Sequence, residues 1–320
     1  MSVDRILLVS LDNLGDMVFA SALAPPLRER FPRAKLDIWC KEYTADVARL
    51  VPHVSEVIAS DPFWDRAPGR PKGSRRPFLR AVRFVRSRRY NVAMIAAAPW
   101  RTAAAVAATR IPVRIGLRRR KNRLFLTEAL PDENPERPVL SELGRLLAPL
   151  GASAGELRYR LDATSLTARR DRLAFVIRQP YAALHPFASK ENRCVPLPVW
   201  IALSRLLVER GLTILWVGTG RELAALRAST NDNAWRFVDR DSDGTLADTA
   251  AALAAATLFV GHDSGPLHVA GAFGVPVVGV FTPGEPLRTF PQGVGPWRML
   301  ARPSPAGVTA NDILREVDAL

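Results

Sequence analysis

Cysteine is nearly absent: two in 320 residues, Cys40 and Cys194. That is too few for a disulfide framework or a cysteine-built metal site, and it fits a reducing, cytoplasmic setting. No apolar run approaches the roughly 18 residues of a membrane span. The opening MSVDRILLVSL has only a short apolar run and no small-residue cleavage site. It reads as a first buried strand rather than a signal peptide. No GK[ST] triplet exists, so neither glycine-rich turn is a Walker A loop. Short repeats, low-complexity tracts and heptad arrays are also missing. Acid is missing over one long stretch: between Arg66 and Thr127 there are 18 basic residues and no Asp or Glu.

What is present is an ordinary balance of 48% hydrophobic and 24% charged residues, with a net charge of +14. The charge is lopsided. Residues 1–160 hold 29 basic and 16 acidic side chains; residues 161–320 hold 16 and 15. A solvated arginine-rich surface accounts for a high isoelectric point but not for an acid-free run of this length. Such a field draws phosphates, carboxylates or an anionic membrane surface.

The chain alternates short apolar runs with helical patterns. RILLVSL (5–11), KLDIWC (35–40), VSEVIAS (54–60), NVAMIAA (91–97) and VRIGL (113–117) read as strands in the first half. AALHPF (182–187), TILWVG (213–218), WRFVD (235–239), TLFVGHD (257–263), PVVGVF (276–281) and WRMLA (297–301) read as strands in the second. Near-continuous apolar strands separated by helices imply parallel sheets covered on both faces. Helices are expected at about 16–30, 139–150, 198–211, 245–256 and 311–320. The Pro-, Gly- and Arg-rich segment 61–80 is expected to be a loop. Two doubly wound α/β halves, 1–165 and 166–305, would face each other across a cleft, with a closing helix in 306–320.

Four junctions could carry chemistry. GHDSGPLHVAGAFG (261–274) follows a strand and opens a helix of small residues. A helix start offers backbone N–H groups and a positive dipole end, a natural phosphate seat. Asp263 and Ser264 could hold a ligand or merely cap the helix. Gly265 allows close approach, Pro266 suits a first turn, and His268 could reach the ligand or be a satisfied core residue. In LDNLGDMV (11–18), Asp16 at a helix start could accept a proton from a substrate hydroxyl; the plainer reading is a helix-start acid. In HPFASKENRCVPLPVW (185–200), Ser189, Lys190, Asn192 and Arg193 are good phosphate partners. In GTGRE (218–222), Glu222 could take ribose hydroxyls, although a first-turn helix acid is the commoner role.

Taken together and in this order, the four junctions resemble one family, the family 9 glycosyltransferases or ADP-heptose:lipopolysaccharide heptosyltransferases. LDNLGDMV is similar to its N-terminal GD motif, HPFAS with NRCVP to its HPGA and KRWP segments, GTGRE to its glycine turn followed by Glu, and DSGPLH to its D-[ST]-G-x-x-H signature. The resemblance implies a GT-B fold of two Rossmann-like domains. It implies an acceptor-binding N-terminal domain with Asp16 as general base, and a donor-binding C-terminal domain using Ser189, Lys190, Arg193, Glu222, Asp263, Ser264, Gly265 and His268. Arg193 or Lys190 would be the phosphate cation. Departures are Phe187 for the glycine of HPGA, Val195 for the tryptophan before proline, and Ala22 for the proline usual after GD.

The reaction so implied is inverting transfer of heptose from ADP-heptose, a substrate rather than a cofactor, to an anionic lipid-linked acceptor. No metal is expected; Asp241 and Asp243 in DRDSD (239–243) read as capping residues. Arg75, Arg76, Arg80, Arg118, Arg119 and Arg120 are the candidate acceptor contacts, and the cytoplasmic face of an inner membrane a candidate location. Another nucleotide-sugar enzyme on this scaffold is the rival. A nucleic-acid-binding protein ranks low, since no recognised module accompanies Phe78, Phe84, Tyr90 and Trp100.

Overall fold

A computed structural model describes residues 3–65, 72–96, 99–132, 134–174, 177–229, 235–239, 245–283 and 286–320. The chain divides into two compact units, Met1–Tyr159 and Arg160–Leu320. The first contains β1 (Arg5–Ser10), β2 (Lys35–Cys40), β3 (Val54–Ala59), β4 (Val92–Ile95), β5 (Val113–Leu117) and β6 (Glu128–Leu130). The second contains β7 (Tyr181–His185), β8 (Thr213–Gly218), β9 (Trp235–Asp239), β10 (Leu258–His262), β11 (Val277–Phe281) and β12 (Trp297–Ala301). The sheets run β3-β2-β1-β4-β5-β6 and β12-β11-β10-β7-β8-β9, and every strand pair is parallel. Counted within its own unit, each sheet has the order 3-2-1-4-5-6, the doubly wound order of dinucleotide-binding domains. Each unit is therefore a Rossmann-like α/β domain.

The strand sequences explain the layering. β4, β7, β10 and β11 are buried at every position, as strands covered on both faces must be. β2 carries an acid inside its apolar run, and the fold accounts for it. Asp37 Oδ2 accepts from Tyr90 Oη at 2.6 Å and from Arg5 Nη2 at 3.1 Å. A buried carboxylate is tolerable only when paired in this way.

Three local expectations need correction. The helix expected at 16–30 is two, Leu14–Ser21 and Ala24–Arg30. Pro25 and Pro26 have no N–H to continue the first helix but fit the opening turn of the second. The helix expected at 139–150 is α-helical over Val139–Gly144 and tightens to a 3₁₀ turn over Arg145–Leu150, around Pro149. The loop expected over 61–80 gives way at Arg75 to a helix, Arg75–Ser87. Pro77 stands in its first turn, where it costs no hydrogen bond, and Phe78, Val82 and Val85 form its buried stripe. The closing helix Ala310–Asp318 buries Ile313 and Leu314 among Leu203, Leu207 and Leu300 of the second unit.

Phe78 holds the arginine-rich helix to the first unit. It is buried, stacks on Trp39 at 5.6 Å and meets the edges of Phe63 and Trp64. Truncating such a ring costs about 3–5 kcal/mol. Phe78→Ala is therefore expected to speed amide hydrogen exchange across residues 75–87 and β2, leaving the second unit's exchange unchanged. Equal acceleration in both units would contradict this local role.

Candidate active site

In each unit the chain leaves two adjacent central strands in opposite directions, and the crevice beyond their carboxyl ends is where such sheets bind ligands. In the second unit these strands are β7 and β10. The segment after β7 carries Ser189, Lys190 and Arg193, with a short 3₁₀ turn at Glu191–Arg193. The segment after β10 carries Asp263 and Ser264 and opens the helix Gly265–Ala272. Arg193 Nη1 stands 4.0 Å from Asp263 Oδ2, whereas Ser189 and Lys190 are exposed. Asp263 also accepts from Thr289 Oγ1 at 3.1 Å and has His268 Nε2 at 3.6 Å from its other oxygen. Asp263, Ser264, Gly265, His268 and Arg193 thus gather at one strand edge. His268 is buried and turned toward Asp263.

The helix start is left available to a ligand. Ser264 stands at the N-cap but makes no side-chain cap bond; its hydroxyl donates to His262 O at 3.0 Å. Pro266 has no N–H and Leu267 N donates to Ser264 O at 3.2 Å, so the Gly265 N–H and the positive helix end, beside an arginine, are what a phosphate would meet. Asp263 would repel a phosphate and is better suited to accept sugar hydroxyls while steadying Arg193.

Glu222 is one strand further along the sheet. It forms a capping box with Thr219: Glu222 Oε2 accepts from Thr219 N and Oγ1, both at 2.8 Å. That oxygen serves the helix Gly220–Ala228. The preceding turn needs its glycine, since a β-carbon at Gly220 would come 2.9 Å from the buried Asp239 Oδ2. Asp241 and Asp243 lie outside the described residues. Among the described residues no group of three or more His, Cys, Asp or Glu is placed to hold a metal ion.

In the first unit, Asp12, Asn13 and Asp16 follow β1, and Lys41 follows its neighbour β2. Asp16 is in the first turn of the helix Leu14–Ser21. Its carboxylate is open to solvent yet crowded by protein on its other sides, and its pKa is raised to about 7. Loss of water is the largest cause and the charge of Asp12 the second; the Asn13 backbone N–H and Lys41 pull the other way. Lys41 is buried and pairs with Asp65 at 2.5 Å. Tyr43 Oη reaches Asn13 Oδ1 at 3.5 Å. A carboxylate titrating near neutrality at a strand edge has the properties of a general base.

Lys41, His262, Thr282 and Thr289 were not singled out in the sequence, and Asp12 only as a capping residue. Lys41 had a signal, a lysine directly ending an apolar strand. His262 was inside the quoted motif but read as strand.

A helix start beside an arginine on one Rossmann-like domain and a carboxylate of raised pKa on another are the parts that a two-domain glycosyltransferase would need. The model of glycosyltransferase family 9 (heptosyltransferase) matches residues 78–301, and the chain belongs to that family. The matched span holds that helix start and excludes Asp16. Lipopolysaccharide heptosyltransferase 2 of Escherichia coli K12 is 26% identical, the match covering 88% of this chain and 84% of the relative. Among solved structures, a family 9 glycosyl transferase from Veillonella parvula superposes with a TM-score of 0.82 at 15% identity, covering 100% of this chain and 98% of that one. E. coli heptosyltransferase WaaC with ADP gives 0.80 at 18% identity, covering 98% and 99%. At these identities the structures speak for a shared fold. The protein is a glycosyltransferase.

The folded state holds the Asp16 proton more tightly than the unfolded chain does, so ionising it weakens the fold as pH rises from about 4 to about 7. Carboxyl-carbon NMR is expected to give Asp16 a titration midpoint near 7. Asp12→Asn removes a like charge and should lower the Asp16 midpoint by about one unit. An ordinary carboxylate midpoint in the wild type would remove the electrostatic case for Asp16.

Proposed function

We propose that the enzyme transfers heptose from ADP-heptose to an anionic, lipid-linked lipopolysaccharide-core acceptor, inverting the anomeric centre. The convergence of Arg193, Asp263 and the helix start at Gly265 beyond β7 and β10 carries the reading, because a cation, the Gly265 N–H and a positive dipole end meet where a nucleotide diphosphate would sit. The names of the relatives support the heptosyl assignment. In this reading the second unit binds the donor and the first the acceptor. An acceptor hydroxyl oxygen attacks the anomeric carbon and its proton passes to Asp16. The bond from that carbon to the β-phosphate oxygen breaks, and its electron pair leaves on the diphosphate. Arg193 and the Gly265 N–H at the helix start stabilise that charge; one such preorganised donor is worth roughly 3 kcal/mol. Arg193 is the preferred phosphate cation, since it reaches Asp263 while Lys190 faces solvent. The second oxygen of Glu222 would take nucleoside hydroxyls.

The test is transfer of labelled heptose from ADP-heptose to heptose-deficient lipopolysaccharide core. Wild type should transfer. Asp16→Asn should lose about 10²–10⁴-fold in rate while ADP affinity stays within a few-fold. Transfer from another nucleotide-sugar but not from ADP-heptose would overturn the donor assignment, and full turnover in Asp16→Asn the base assignment.

The acid-free stretch supports an anionic acceptor at a membrane surface. Arg75, Arg76, Arg80, Arg83 and Arg86 are all exposed on the helix Arg75–Ser87. Exposed Leu79 and Phe84 lie on the same helix. The six arginines named from the sequence are not equivalent. Arg75 lies over the Phe63 ring at 5.5 Å, and Arg118 pairs with Asp132 at 2.9 Å. Arg119 is exposed, and the side chain of Arg120 lies outside the described residues. Charge attraction between solvated groups fades beyond roughly 8 Å at physiological salt. Arg76, Arg80 and Arg83 replaced together by Glu should therefore abolish co-sedimentation with anionic liposomes and raise the acceptor KM, as added salt does, without altering ADP affinity. A triple variant that matches wild type in both would reduce these arginines to a solubilising surface.

A further inference from the structure

The segment that carries Arg193 is pinned at two successive backbone groups. Val195 N donates to His262 Nε2 at 3.0 Å, and Thr282 Oγ1 donates to Arg193 O at 2.9 Å. His262 ends β10, and Thr282 directly follows β11. Both side chains thus reach from the carboxyl edge of the sheet to the two peptide groups flanking Cys194. His262 is 1% exposed, and its other nitrogen, Nδ1, lies 3.1 Å from Val280 O. Only one neutral tautomer satisfies both contacts: Nδ1–H donates to Val280 O, and bare Nε2 accepts from Val195 N–H. Burial favours that neutral form and holds the His262 pKa down to about 4. The edge of Trp200, 5.2 Å away between ring centres, fixes the imidazole plane.

We infer that His262 is a positioning residue for the donor cation: its neutral imidazole, with the Thr282 hydroxyl, sets where Arg193 stands relative to Asp263 and the helix start. This rests on the reading that Arg193 holds the donor diphosphate. The motif residues Asp263 to His268 meet the ligand from one side of the strand end; His262, one residue earlier, points inward and acts through the facing segment. A generic packing residue would need no acceptor nitrogen at this position. Here the acceptor is aimed at an amide two residues from the arginine, and a second hydroxyl holds the arginine's own carbonyl.

Side-chain geometry separates this role from simple packing. In His262→Gln the amide oxygen occupies the region of Nε2 and can still accept from Val195 N–H. In His262→Asn the shorter amide keeps a donor for Val280 O but cannot reach Val195. Binding of ADP is measured by calorimetry for wild type, both His262 variants, Thr282→Val, Arg193→Ala, and His262→Asn combined with Arg193→Ala. Loss of the tie should weaken ADP about tenfold in His262→Asn and in Thr282→Val, while His262→Gln stays within about twofold. In the Arg193→Ala background the His262→Asn change should have no further effect. Equal affinities for the Asn and Gln variants, or full additivity with Arg193→Ala, would overturn the positioning role. Unchanged ADP affinity in Arg193→Ala alone would instead overturn the underlying diphosphate assignment. If His262→Asn does not fold, Thr282→Val, nearly isosteric and outside the core strand, decides the question alone.

Discussion

The polarity of parallel strands is the constraint on which both sites depend. A parallel sheet requires a crossover after each strand, and the crossover is right-handed. Carboxyl ends of strands and amino ends of the following helices therefore collect at one edge. Free N–H groups and positive dipole ends gather there with no side chain required. The 3-2-1-4-5-6 order adds the second condition, a point where neighbouring crossovers part. In the second unit that point lies between β7 and β10, and Arg193 and Asp263 leave from those two strands. Arg193 and Asp263, 70 positions apart in the chain, come within 4.0 Å because of sheet order.

Much of this arrangement was legible in the sequence. Eleven of the twelve described strands were readable because burial on both faces requires unbroken apolar runs, and their bounds lie within two residues of the expected ones; β6 was missed because its three residues are exposed or half-buried and form no such run. The helix at Gly265 was readable because Pro266 and the small residues after it suit nothing else. Where periodicity was overridden by proline chemistry, the reading failed. Pro25 and Pro26 divide one expected helix, and Pro77 suggested a loop where it stands in a helix's first turn. Contacts between distant segments were not legible at all. Nothing near His262 in the chain announces that its imidazole accepts from Val195, and nothing near Glu222 announces which of its two oxygens is spent on Thr219.

Two kinds of polar group support the second unit's site, and they answer to different physics. Asp263 is partly buried and held by Thr289, with Arg193 and His268 on either side. Its oxygens are held in place by those neighbours rather than by burial alone. His262 is sealed among strands and stays neutral because no compensating charge is near enough to offset its loss of water. A neutral acceptor is what the Val195 amide needs. Burial therefore selects the protonation state, and the protonation state selects the hydrogen bond.

The first unit presents the opposite problem: how an acid can hold its proton up to neutrality inside a strongly basic domain. Unscreened, the acid-free stretch would drive Asp16 toward ionisation. The cations that act on Asp16 reduce to Lys41, and its effect is smaller than those of lost water and the Asp12 charge. The reason is placement. The arginines of the helix Arg75–Ser87 are exposed, where water and salt damp their field within roughly a Debye length of 8 Å. Lys41 is buried, but its ammonium is already committed to Asp65 at 2.5 Å. A domain can thus carry a large positive charge at its surface and still keep a carboxylate, Asp16, whose titration is set by its nearest neighbours. The same separation of scales lets surface arginines vary in number without retuning the base.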